Sequence, residues 1–114
     1  MKYFVLAFAF LLICINPVTG LAAPFAYVTN GEDDTVTIID TATNTVVGPP
    51  ITVGDAPFRI AANPAGTRVY VANMDDDTVS VIDTATNTVV ATITVGNFPT
   101  DLVVNPAGTR LYVR

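Results

Sequence analysis

The sequence predicts an all-β fold made of tandem four-stranded antiparallel units, and three observations lead there. The chain repeats itself at a period in the low forties: Tyr27-Val28-Thr29-Asn30 returns as Tyr70-Val71-Ala72-Asn73 and, cut short, as Tyr112-Val113. Within each period, short runs of alternating β-branched residues are separated by turn signals. Beyond residue 23 no segment carries the 3.6-residue apolar spacing of a helix, and Val, Ile, Thr, Asn, Gly and Pro, all poor helix formers, dominate.

The first element is a leader. Met1 and Lys2 give a short basic start, residues 5–15 form an unbroken apolar run, and residues 16–23 shift to helix-breaking and small side chains. This is the layout of a cleavable secretory signal, assigned to residues 1–22, with residues 23–114 as the exported part. The apolar run is shorter than the ~20 residues a spanning helix needs, so no membrane association is expected after cleavage. The single cysteine, Cys14, lies inside the run behind Ile13, where a lipid-anchored protein would place a small residue. Once it leaves with the leader, neither a disulfide framework nor a thiolate metal site is available. The expected location is periplasmic, cell-surface or extracellular.

The repeats follow. Asp40-Thr41-Ala42-Thr43-Asn44-Thr45-Val46-Val47 recurs unchanged at residues 83–90, and Asn63-Pro64-Ala65-Gly66-Thr67-Arg68 recurs unchanged at residues 105–110. In Asn63-Pro64-Ala65-Gly66, Pro presets φ and Gly supplies the left-handed position of a hairpin loop. In Asp40-Thr41-Ala42-Thr43-Asn44, the Asp carboxylate accepts backbone N–H bonds and Asn tolerates positive φ. Between these turns the pattern predicts strands at 58–62, 68–73, 78–83 and 88–95, innermost to outermost. Val79 and Val81 point to one face and Thr78, Ser80 and Ile82 to the other, so face-to-face stacking would bury both.

Four short strands per period in the low forties define a β-propeller blade. Repeats at about 25–68 and 69–110, with a third cut short, amount to about two blades: three strands of a first, one complete blade, and the start of another. Propellers close with about four to eight blades, so an incomplete propeller is expected. It is read as a fragment of a longer one, with assembly of several chains into a ring as the competing account and self-association through open blade edges as a consequence.

Tyr70-Val71-Ala72-Asn73, Thr78–Asp83, residues 84–90, Val95-Gly96 and Asn105-Pro106-Ala107-Gly108 resemble the YVTN-type β-propeller repeat family over nearly all of residues 25–114. The resemblance implies exported or surface-layer proteins of about seven blades, with related repeats in the propeller domains of some periplasmic redox enzymes. It is specific for fold and nearly silent on function.

Charge narrows the partners. The chain carries a formal net charge of −5, and after Ala23 the only bases are Arg59, Arg68, Arg110 and Arg114. That balance speaks against nucleic acid.

Functional groups collect on one rim, where the second-to-third-strand loops and the interblade links emerge together. Asp33, Asp34, Asp75, Asp76 and Asp77 offer hard carboxylate oxygens suited to calcium, although acidic hairpin tips are commonly plain solvated turns and lack an EF-hand's alternation. Arg59 and Asp101 stand at equivalent positions of successive inner strands, placed either to contact a ligand at the channel mouth or, the preferred reading, to form an ion pair between neighbouring blades. Tyr27, Tyr70 and Tyr112 recur with the repeat as packing residues.

Catalysis has few groups to draw on: beyond the leader there is no His, Cys or Lys, and Ser80 is the only serine. An acid–base pair such as Asp55 with Asp101 is the remaining enzymatic option. No cofactor is expected. The sequence therefore predicts an exported noncatalytic scaffold or binding module with a protein or glycan partner, the alternative being the N-terminal blades of a larger periplasmic enzyme of oxidoreductase or lactonase-like type.

Overall fold

The computed structural model describes residues 13–14 and 24–114. The leader assigned to residues 1–22 otherwise lies outside the described residues. Among the described residues eleven strands run in order: β1 (Ile13–Cys14), β2 (Phe25–Asn30), β3 (Thr35–Asp40), β4 (Thr45–Val46), β5 (Ile51–Thr52), β6 (Pro57–Ala62), β7 (Arg68–Asn73), β8 (Thr78–Asp83), β9 (Thr88–Thr94), β10 (Leu102–Val104) and β11 (Leu111–Val113). They form three antiparallel sheets, β1-β2-β3-β4 with β5 also on β3, then β6-β7-β8-β9, then β10-β11. Among the described residues there is no helix.

The middle sheet is the complete blade, and its strands fall within one residue of the predicted spans at every end. Its turns form as the side chains dictate. The Asn63 Oδ1 atom accepts the N–H groups of Thr67 (2.9 Å) and Arg68 (3.0 Å), and Gly66 takes φ +73°. Asp83 Oδ1 accepts from Ala85 N at 2.8 Å, and Asn87 sits at φ 55°. The identical segments around Asp40 and Asn105 adopt the same bonds.

The first sheet departs from the middle one at both edges. The sequence predicts three strands for it, and the structure adds β1, which pairs with Phe25 and Ala26 where β6 would stand in a complete blade. Its outer strand is split into β4 and β5 around Gly48-Pro49-Pro50, with Gly48 at φ +67°. Two prolines remove two ladder donors, so a continuous strand cannot form there. The corresponding stretch of the second repeat, Ala91-Thr92, is one residue shorter and lies within the unbroken β9. That single residue explains why Tyr27 and Tyr70 lie 43 apart but Tyr70 and Tyr112 only 42.

The sheets stack face to face, and two apolar layers hold them. Between the first and second lie Tyr27, Val36, Ile38, Ile51, Ile60, Val69, Val71 and Ile82. Between the second and third lie Ala72, Val79 and Leu102, flanked by Ala61, Tyr70, Leu111 and Val113. Val79 and Ile82 thus serve opposite interfaces, as strand alternation requires. Removing each such side chain from water is worth about 1.5–3 kcal/mol, which makes the layers, not the loops, the source of stability.

Candidate functional site

The rim begins with the asparagine that closes each second strand. Asn73 is fully buried, and its Nδ2 donates to Thr78 Oγ1 (3.0 Å) and Ser80 Oγ (2.9 Å) on the next strand. Asn30 does the same to Thr35 Oγ1 (3.0 Å) and Thr37 Oγ1 (2.8 Å). Each asparagine thereby fixes the start of the following strand, and the acidic turn between them is held at both ends.

The last residue of each acidic turn, Asp34 or Asp77, takes a left-handed φ of 59° or 56°. This aims its carboxylate across to the interblade link. Asp34 Oδ1 accepts the N–H of Ala56 at 3.0 Å, and Asp77 Oδ1 that of Phe98 at 2.8 Å. Both link residues are themselves left-handed, at φ 54° and 58°, a conformation costing a non-glycine residue about 1–2 kcal/mol. The charge-assisted bond to the carboxylate offsets that cost. From the far side, Asp76 Oδ2 accepts Asp55 N at 3.0 Å, and Met74 N donates to the Ala56 carbonyl at 3.0 Å. The link between the first two blades is therefore clasped by a hairpin from each.

Beside the calcium option for Asp33, Asp34, Asp75, Asp76 and Asp77, this geometry gives three of the five carboxylates a structural role. Asp34, Asp76 and Asp77 each have an oxygen committed to a backbone N–H. Among the described residues, no group of three or more His, Cys, Asp or Glu is placed to hold a metal ion. The loops do gather where the sequence puts them, but as clasps.

Clustering leaves an electrostatic mark. Asp34, through its negative charge first, together with lost hydration and the charges of Asp76 and Asp75, holds the Asp55 carboxyl above the usual carboxylate range. The folded state thus retains this proton to higher pH than the unfolded chain. The contribution to stability is fully present below about pH 4 and is lost as pH rises through the folded value. Asp55→Asn removes the repulsion and puts an amide N–H donor where the Asp55 carboxyl faces Asp34. It is expected to raise the melting temperature at pH 7, with the gain over the parent shrinking toward pH 4; thermal melts across that range check it.

Arg59 and Asp101 meet as the preferred reading expects. Arg59 Nε lies 3.7 Å from Asp101 Oδ1, joining the second and third sheets, and both side chains are about 40% exposed. Arg114 Nη2 also approaches Asp101 Oδ2, at 3.4 Å. The Arg59 guanidinium lies 5.6 Å from the Phe58 ring centroid. Pairs this exposed contribute at most about 1 kcal/mol. Asp101 therefore faces cations, while the charges that act on Asp55 are Asp34, Asp75 and Asp76.

The repeated tyrosines carry more than packing. Tyr27, 1% exposed, donates its hydroxyl to Asn87 Oδ1 of the next blade at 2.8 Å. Asn30, Asn73 and Tyr27 are the residues whose roles the sequence reading missed. For the two asparagines the signal was the constant five-residue offset from Asn30 to Thr35 and from Asn73 to Thr78.

No protein-family model and no curated protein sequence matches the chain. Solved structures do. Hydrazine synthase of Kuenenia stuttgartiensis is similar at a TM-score of 0.77 and 30% identity, over 89% of this chain and 27% of that one. A functionally unknown protein from Desulfotomaculum acetoxidans gives 0.72 and 24% identity, over 91% and 34%. Apo AztD from Citrobacter koseri gives 0.62 and 16%, over 81% and 26%. The chain thus spans about a quarter to a third of the structures it matches. Together with the three stacked sheets, these likenesses place the chain in the class of β-propeller proteins, as an incomplete propeller of about two blades.

Proposed function

We propose that the chain is a noncatalytic, exported propeller module of the YVTN repeat type, acting in the cell envelope or outside it as a scaffold for protein or glycan contacts, and that it is part of a longer propeller. The observation that carries this reading is the state of the reactive side chains. Ser80, the only serine, is buried under Asn73, and the rim carboxylates of Asp34, Asp76 and Asp77 are engaged in holding the links. The leader supports export, and the net charge of −5 supports neutral or cationic partners over nucleic acid.

The second reading, blades of a larger periplasmic enzyme, draws on the match to a synthase that is nearly four times as long as the region aligned. In that case the reactive groups reside in other blades, and these two supply the frame.

Expression of the full chain in an exporting bacterial host separates the two. The scaffold reading expects a processed product in the periplasm or medium, shortened by about 22 residues, that co-sediments with envelope polysaccharide. Retention of the unprocessed chain in the cytoplasm, or turnover of lactone substrates by the purified chain, would count against it.

A further inference from the structure

We propose that Asn30-Gly31, at the head of the first acidic turn, is a site of spontaneous self-modification, in which the Gly31 backbone nitrogen displaces ammonia from the Asn30 side-chain amide and the product loosens the first clasp. Of the eight asparagines in the chain, Asn30 alone precedes a glycine. Every other successor carries a Cβ that hinders the approach of its nitrogen to the asparagine Cγ. Where the successor is proline, after Asn16, Asn63 and Asn105, there is no N–H to react.

Nothing in the turn demands that glycine. Gly31 does not take a left-handed φ, and an added Cβ would meet only the Pro57 carbonyl oxygen, at an ordinary 3.5 Å. The equivalent position one repeat later is Met74. The two asparagines differ in access as well: Asn73 is fully buried, whereas Asn30 is half-buried beside an exposed Gly31.

The atoms balance with water as the only co-reactant. A base takes the Gly31 N–H proton, the nitrogen bonds to Asn30 Cγ, and the amide nitrogen leaves as ammonia, giving a cyclic imide. Water then opens the ring at either carbonyl, leaving aspartate or isoaspartate at residue 30. Both products lack the Nδ2 donor that Asn30 gives to Thr35 (3.0 Å) and Thr37 (2.8 Å), and both add a negative charge beside Glu32, Asp33 and Asp34. Isoaspartate also lengthens the backbone where the Asn30 carbonyl accepts from Asp33 N and Asp34 N, the turn from which Asp34 reaches Ala56. Until then the two threonine bonds hold the amide in place, so the reaction proceeds through brief local openings of the turn.

Peptide mapping by mass spectrometry of the full chain, incubated at neutral pH, tests this, with chromatography separating the aspartyl and isoaspartyl forms. Conversion is expected at Asn30, with Asn73 unreacted. Gly31→Ala abolishes it and leaves the melting temperature unchanged. Thr37→Val, which removes one of the two restraints, speeds it about fivefold, the equivalent of one net hydrogen bond. In the converted chain, amide exchange at Ala56 is faster. Conversion in urea but none in buffer overturns the proposal, as do equal rates at Asn30 and Asn73 or unchanged protection of Ala56 after conversion. The Gly31→Ala arm keeps the test decisive should Thr37→Val fail to fold.

Discussion

Gly54→Ala is expected to destabilise the chain by about 3 kcal/mol, lowering its melting temperature by about 15 °C. The new methyl would press on Asp76 Oδ2 at 2.6 Å and on the Asn73 amide at 2.7 Å. Asp76 can swing outward, but only by releasing the Asp55 N–H that it accepts. Asn73 has no such freedom, because it is fully buried and tied to Thr78 and Ser80. Overpacking and the loss of buried hydrogen bonds therefore add, each contributing about 1–3 kcal/mol. Gly96→Ala is the matched comparison, since the same change in the same link motif meets open space. Differential scanning calorimetry of both variants checks the pair, and equal shifts would show that the link, not the clasp around it, sets the cost.

Ile82→Ala carries the second large effect. Ile82 is fully buried in the layer between the first two sheets, opposite Tyr27, Val36 and Ile38 of the neighbouring blade. Truncation removes about three methylene equivalents and leaves a cavity that two stiff sheets cannot close, at a cost of about 2–5 kcal/mol. A domain of this size holds only about 5–15 kcal/mol in total, so the variant stands near the threshold of folding. Val90→Ala, on the half-exposed outer strand, is expected to change stability by no more than about 0.5 kcal/mol. Urea titration followed by tyrosine fluorescence reads both.

These two variants also mark what was legible in the sequence and what was not. The strands of the middle sheet and the Asn-Pro-Ala-Gly and Asp-Thr-Ala-Thr-Asn turns were readable because each rests on local chemistry: β-branched alternation, a proline ring, a glycine free to take positive φ. The opposed faces of Val79 and Ile82 follow from alternation alone. The clasps were not readable, because their partners are distant. Asp34 meets Ala56 and Asp77 meets Phe98 across more than twenty residues of chain, through backbone N–H groups that leave no trace in composition. An acidic tip with no visible partner invites a metal reading, because the backbone donor that the fold brings to it lies far along the chain.

The same limit applied to the first sheet. Gly48-Pro49-Pro50 signals a break, but only the pairing of both β4 and β5 with β3 shows the outer strand resuming on the same partner with its register shifted by two residues. The pairing of Ile13–Cys14 with β2 was invisible to a reading that assigned that segment wholly to a leader. Arg59 with Asp101 was legible for the opposite reason, because repeat equivalence alone puts opposite charges on adjacent inner strands.

The central claim, that the repeats fold as stacked antiparallel sheets joined by clasped links, is tested most directly by residue-resolved amide hydrogen exchange. The account predicts slow exchange in β2, β3, β7 and β8, and measurable protection of the loop amides of Ala56 and Phe98, lost at Ala56 alone in Asp34→Ala. Uniformly fast exchange at these strands, or a protected run of consecutive amides spaced as in a helix, would contradict it.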